Sequence, residues 1–339
     1  MKPGKFQLRK YHLLGLSAAV LALTALQAPG AEAQERLRIG WTSADSDTDP
    51  YAIAAHYFAE ELENEAPGEF DISFFPNNEL GNETEMLEGM QLGTLEAAVI
   101  TGTQIASISS AFQLIDLPFL FKDNEQAREV LDGEVGQMML DTLEPKGIVG
   151  LGFVEAGFRS TINNVRPVHT PEDMEGIRLR VQPFDIYLDS FERFGADPIP
   201  MEWSEVFTAV QQGTIDGLEI PLSVIYANNF PDVTQYLSLT QHVYNAPALL
   251  VSKQTFDQLS DELKQAVRDA AETTVERQRE TVGANNQDMV GRIEEAGMEV
   301  NEVEDISAFQ ELVRPVYEDY REDIGSELMD KALEATGQN

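Results

Sequence analysis

Residues 84–96, TEMLEGMQLGTLE, return at 204–216 as SEVFTAVQQGTID, with four positions identical and most others keeping their character. Thr84 and Ser204 are placed to cap a short helix in each copy, with Glu85 and Glu205 favourable in its first turn. Met86, Leu87 and Met90 match Val206, Phe207 and Val210 in helical spacing. Gly93 and Gly213 fall where a helix ends on a left-handed residue, and the following LEAAVI and IDGLEI read as short buried strands. Chance likeness between two amphipathic helices is the alternative, but the shared punctuation favours a duplication. Two similar α/β lobes leave a crevice beyond their strand ends, where open α/β sheets bind ligands. Thr101 and Pro221, eight residues past the two glycines, are expected to approach it.

The ends of the chain set its compartment. Lys2, Lys5, Arg9 and Lys10 precede LLGLSAAVLALTAL, and Ala31-Glu32-Ala33 follows as a small-residue cleavage site, the pattern of a secretory signal peptide over 1–33. That apolar run has 14 residues, short of the roughly 20 a spanning helix needs. A retained anchor is the other reading. No later stretch is long and apolar enough to span a membrane as a helix, so a soluble protein outside the cytoplasm is expected. The chain has no cysteine, which excludes disulfides and lipid attachment at an N-terminal Cys. About 300 residues must then rely on a hydrophobic core, most easily as two domains.

Without Lys2, Lys5, Arg9, Lys10 and Glu32, the 23 basic and 59 acidic residues become 19 and 58, a net charge of −39. The acids are spread along the chain, as on a solvated surface whose self-repulsion salt screens. Nucleic acid is excluded as a partner by this sign. An anionic ligand is not, because local arginines decide a pocket's affinity.

Along the mature chain, LRIGW, FDISFF and IVGLGFV read as strands, with helices over 52–66 and 124–144. Thr170-Pro171-Glu172-Asp173 is a helix-start signal. The strand IRLRVQ, a helix over 184–194 and the second repeat copy build a second lobe, and ALLVS returns as a buried strand to the first. Ser260 is placed to cap a long charged helix over 261–296, and 307–335 reads as mostly helical. The expected division is 34–156 with 245–284 for the first lobe, and 157–244 with 285–339 for the second.

Signals for catalysis are weak. His56, His169 and His242 lack metal-ligand spacing, and the chain has no G-x-S-x-G elbow, P-loop or G-x-G-x-x-G. Asp45, Asp47 and Asp49 begin like a calcium loop, but Pro50 stands where glycine is needed and His56 where the bidentate glutamate is needed. A solvated acidic turn is the better reading, and no metal or cofactor is expected. Arg178 and Arg180 alternate with Ile177, Leu179 and Val181, which puts both arginines on one strand face. One of them can reach the crevice, where a guanidinium fork suits a carboxylate. Pattern alone favours surface pairing with nearby glutamates. Arg159 has the same ambiguity, and Trp203 is either a cover for a ligand or a core residue.

The stretch TPEDMEGIRLRVQPFDIYLDSFERFGADPIPMEWSEVFTAVQQGTIDGLEIP, 170–221, resembles the solute-binding subunits of TRAP transporters, the DctP-type periplasmic receptors. FFPNNELGNETEMLEGMQLGTLEAAVI is similar to the family's first-lobe motif, and the helix-rich C-terminus also fits. The resemblance implies an α/β, two-lobe periplasmic binding protein fold, a ligand cleft between lobes and a long helix spanning both. It also implies an organic-acid ligand, membrane permease subunits as partners and uptake driven by an ion gradient. Arg180 matches the carboxylate-clamping arginine of the family's G-I-R-L-R-V motif, and Arg159, 21 residues upstream, matches its assisting arginine. Trp203 matches the aromatic before the S-E-V helix. Glu219, Thr42, Glu83 and Thr101 align with cleft positions, while Ile220 replaces the asparagine many members carry in D-G-x-E-N-P.

The expected function is therefore a monomeric, non-enzymatic periplasmic receptor for a C4-dicarboxylate, keto acid or sugar acid. A binding protein of an ATP-driven importer and a secreted α/β enzyme are the alternatives.

Overall fold

The computed structural model describes residues 34–338, so the expected signal peptide lies outside the described residues. Its strands are β1 (Glu35–Gly40), β2 (Phe70–Phe75), β3 (Ala97–Ile100), β4 (Ile148–Phe153), β5 (Gly157–Asn163), β6 (Arg178–Val181), β7 (Asp197–Pro200), β8 (Gly217–Pro221), β9 (Tyr236–Asn245), β10 (Ala248–Ser252) and β11 (Glu299–Glu302). They form two sheets, ordered β2-β1-β3-β10-β4 and β11-β9-β5-β8-β6-β7.

The duplication reaches well past the repeated segment. In the first sheet β1 pairs in parallel with β2 and β3, and in the second β6 pairs in parallel with β7 and β8. Helices Pro50–Glu65 and Glu83–Gln91 make the first two crossovers, and Asp185–Arg193 and Trp203–Gln211 the second two. Each unit is closed by an antiparallel strand, β10 on β3 and β5 on β8. Strands β3 and β8 are buried along their whole length, as expected of strands covered on both faces.

The repeated helices also end alike. Gly93 and Gly213 both sit at φ 70°. The amide of Gly93 donates to the Met90 carbonyl and that of Thr94 to Gly89, while Gly213 donates to Val210 and Thr214 to Ala209. This is the Schellman arrangement, formed twice with the same residue spacing. The helix starts correct the expectation of hydroxyl caps. Asn82 caps the first copy, its Oδ1 accepting from the Glu85 amide at 2.9 Å while Glu85 accepts from the Asn82 amide at 2.8 Å. Ser204 lies inside the second helix, whose N-cap, Glu202, makes no side-chain capping bond.

A matching arginine pins each unit. Arg38 Nε donates to Glu96 at 2.8 Å, and Arg178 Nε donates to Asp216 at 3.1 Å. Arg178 Nη1 also bonds the Thr214 carbonyl at 2.8 Å, as Arg38 Nη2 bonds that of Thr94. Thus the first arginine of the R-L-R run has a structural partner on the neighbouring strand.

The chain passes between the sheets through two adjacent extended segments. Val154 donates to the Pro247 carbonyl at 2.8 Å, and Ala156 to that of Asn245 at 3.0 Å. Buried Gln278 completes this crossing: its Oε1 accepts from the Glu155 amide at 2.9 Å and its Nε2 donates to the Glu155 carbonyl at 2.7 Å. Gln278 belongs to helix Asp261–Gln287, which buries Ala266, Ala270, Ala271 and Thr274, packs along Pro50–Glu65 and also meets β4 and Leu222–Ala227. Ser260 caps it through the Leu263 amide at 3.2 Å.

Three expectations of continuity change. The long helix stops at Gln287 and restarts as Met289–Glu295. The 124–144 helix divides at Gly133 into Asn124–Asp132 and Glu134–Asp141, where a Cβ on Gly136 would stand 1.8 Å from the Leu131 carbonyl oxygen. The segment 285–339, expected with the second lobe, splits its packing: Ile306–Asp319 lies on Asp185–Arg193, whereas Ser326–Thr336 lies on Asn124–Asp132 and Glu134–Asp141.

Candidate functional site

A cleft with about 550 Å³ of empty space, part of it open to solvent, lies between the two duplicated units. Thr42, Tyr51, Glu83, Thr101 and Gln104 line it from the first. Arg159, Arg180, Gln182, Glu202, Trp203, Ile220 and Pro221 line it from the second, and Asn245 from the crossing. Eight of the nine residues that the sequence ties to the cleft, Pro221 among them, therefore share one wall-to-wall space. Glu219 is the exception: it is fully buried behind Arg159 and does not line the cleft.

Arg180 stands near the carboxyl end of β6, where parallel strands present their side chains to ligands. It is only 4% exposed, and among the described residues its guanidinium makes one hydrogen bond, from Nε to the Met201 carbonyl at 2.9 Å. Its terminal nitrogens bond no described residue. Burial pulls its pKa down to about 10, with Arg159 adding to the fall and Glu219, Glu202 and Glu83 opposing it. The group is a desolvated cation without a contacting counter-ion.

Arg159 differs. Its Nε donates to Glu219 Oε2, and its Nη2 donates to Glu219 Oε1 at 2.8 Å and to the Glu219 carbonyl at 2.9 Å. Strands β5 and β8 pair Arg159 with Pro221, so Glu219 is its diagonal neighbour two residues away. His242 Nε2 lies 3.1 Å from Glu219 Oε2, and its Nδ1 lies 2.9 Å from Thr240 Oγ1. Burial alone would raise the Glu219 carboxyl, but the Arg159 charge and the His242 bond hold it at about 2. Burial lowers the His242 pKa, which Glu219 opposes without reversing.

On the facing wall Glu83 Oε1 accepts from the Thr101 amide at 2.8 Å. Burial pushes its carboxyl up to about 7, a rise the Thr101 bond and the two arginines only partly offset. A further polar cluster joins the units beside the cleft. Asp116 Oδ1 accepts from Thr103 at 2.7 Å and from the Tyr187 hydroxyl at 3.1 Å, and Gln182 Nε2 donates to Thr103 at 3.1 Å. Asp116 Oδ2 is buried with no partner, and burial pushes this carboxyl up to about 7.

Trp203 is half-buried against Phe230, with ring centroids 5.7 Å apart, and with Ile220 and Val224 it supplies the apolar part of the wall. In the acidic turn Asp45 pairs with His56 at 2.7 Å, and Asp49 caps its helix through the Tyr51 and Ala52 amides. No group of three or more potential metal ligands occurs among the described residues.

Tyr51, Gln104, Gln182, Glu202 and Asn245 are cleft residues that the sequence reading does not single out. Gln182 has a usable signal, since it follows Arg180 by two residues and shares its strand face. The others stand on segments with no period or motif tying them to the site.

This arrangement defines a binding protein with an anion-ready cleft between two α/β units. The chain belongs to the DctP family, the bacterial extracellular solute-binding proteins of family 7, whose model matches residues 42–323. It is 36% identical over 279 residues to the 2,3-diketo-L-gulonate-binding periplasmic protein YiaO of Escherichia coli, covering 82% of this chain and 84% of that one. The sugar acid binding protein DctPAm of Advenella mimigardefordensis, solved with galactonate, superposes with a TM-score of 0.86 at 34% identity, over 90% of this chain and 98% of that one. A TRAP periplasmic solute binding protein of Polaromonas sp. JS666, solved with D-erythronate, gives 0.84 and 34%, over 88% and 98%.

Proposed function

We propose that the protein is the periplasmic receptor of a TRAP transporter, and that it holds a small organic acid by docking the ligand carboxylate on Arg180. The observation that carries this reading is the buried Arg180 guanidinium with its terminal nitrogens open to the cleft. A bidentate carboxylate supplies the missing counter-ion in the geometry the fork requires. Arg159 assists through Nη1, the one terminal nitrogen that Glu219 leaves unbonded among the described residues. The three relatives named above are described with 2,3-diketo-L-gulonate, galactonate and D-erythronate, each an organic acid.

The lobes are organised on the two sheets, with the crossings at 154–156 and 245–247 and the Asp261–Gln287 helix as the hinge. Closing about the ligand marks the loaded state for a membrane permease. The receptor works as a monomer and catalyses no reaction. A thermal-shift screen of the purified protein against organic acids tests this, because a ligand that binds only the folded state raises the melting temperature. Carboxylates that stabilise the parent and fail to stabilise Arg180→Ala are the expected result. Stabilisation by neutral sugars or amines alone would sink it.

A further inference from the structure

The charges around the cleft are unequal in what they leave open. Arg180 has terminal nitrogens with no described partner, whereas Arg159 has its charge matched by Glu219. Facing them from the other unit, Glu83 spends Oε1 on the Thr101 amide and leaves Oε2 with no hydrogen bond among the described residues. Glu202, exposed and also lining the cleft, adds a second acid. The cavity thus offers one uncompensated cation and two acids.

A ligand that places one carboxylate on Arg180 turns the rest of its chain toward acceptors. A hydroxyl there donates to Glu83 Oε2. A second carboxylate there meets like charge in a poorly solvated space and finds no second free cation. Resting on the receptor reading above, we infer that the cleft selects hydroxylated monocarboxylates over dicarboxylates, and that Glu83 enforces the choice by accepting a ligand hydroxyl. Arg180 fixes which end of the ligand enters the second lobe, and Glu83 reads the other end.

Calorimetric titration at pH 8 with two matched pairs tests this: D-galactonate against galactarate, and D-erythronate against meso-tartrate. Within each pair only the terminal carbon changes, from a hydroxymethyl group to a carboxylate. The parent protein is expected to bind at least one monoacid roughly tenfold or more tighter than its diacid, because like charges juxtaposed in an interface are strongly disfavoured. Glu83→Gln keeps an acceptor for the Thr101 amide, removes the charge, and is expected to shrink that ratio to about threefold or less by tightening the diacid. A parent that binds the diacids as tightly as the monoacids overturns the inference without any variant. So does an unchanged ratio in a Glu83→Gln protein whose melting curve shows it folded. Arg180→Ala separates the two layers: loss of both members of a pair upholds the receptor reading whatever the ratio, whereas undiminished binding of both overturns that reading and this inference with it. Failure of every acid to bind the parent does the same.

Discussion

Arg159 and Glu219 form a two-pronged ion pair across the β5–β8 boundary, with side chains only 4% and 0% exposed. Arg180, equally buried, has no such partner. Two arginines in one cleft therefore do different work, and their alanine variants should separate.

Arg180→Ala is expected to cost about 2–5 kcal/mol of ligand binding. It removes a buried cation that no described residue neutralises, so the unliganded protein should melt no lower than the parent. Calorimetry and a melting curve on the same sample check both halves.

Arg159→Ala leaves Glu219 buried and uncompensated except for His242. A loss of about 3–5 kcal/mol in the ligand-free protein is expected, read by urea unfolding. A variant as stable as the parent would refute the structural role given to this pair.

Acid should bring out Glu219. Its folded carboxyl, held at about 2, lies below its ordinary value, so the stabilisation is present above the ordinary carboxylate range and lost as pH falls toward 2. Glu219→Gln should therefore be less stable than the parent at neutral pH, with the gap narrowing at strongly acid pH.

Asp116 carries the opposite sign. Its folded carboxyl is raised to about 7, so the native state holds a proton that the unfolded chain releases, and this residue's contribution declines as pH rises from about 4 to about 7. Asp116→Asn should flatten that part of the stability profile. At pH 8 it should gain stability relative to the parent compared with pH 4, and an unchanged difference between the two pH values would contradict the assignment.

The two Schellman glycines should both resist alanine. At Gly213 nothing lies within 4 Å of the added Cβ, so only the left-handed backbone is at stake and about 1–2 kcal/mol is expected. Gly93→Ala must also displace the Gln254 amide and should cost at least as much.

Much of this was readable in thirteen repeated residues, because glycine at a left-handed position and an apolar strand after it are local requirements. The cap was readable too: Asn82 and Glu85 carry the capping-box spacing, which outweighs the Thr84 hydroxyl inside the helix. The pattern R-L-R put Arg178 and Arg180 on one face, yet only the neighbouring strand decides that Arg178 meets Asp216 while Arg180 opens into the cleft. Edge strands β7 and β11 were silent, the first with prolines in four residues and the second nearly all polar. Glu219 aligned with the site and proved to stand behind it: it shares a sheet face with Arg159 and Pro221, lies two residues further from the strand end than Pro221, and is covered by the Arg159 guanidinium it binds. Tyr51 and Asn245 reach the cleft only because the fold brings distant segments together.

In the duplicated register, Gly40 beside Ala98 corresponds to Arg180 beside Leu218. A Cβ at Gly40 would stand 2.7 Å from the Met86 sulfur, so this position is filled by its neighbour and has no room for an anchor of its own. Two halves of one design thus present a handle on one side and a blank on the other. Under the proposed docking on Arg180, a guest molecule is seated with a head and a tail, and mirror placement is denied by the missing side chain as firmly as correct placement is rewarded by the one retained.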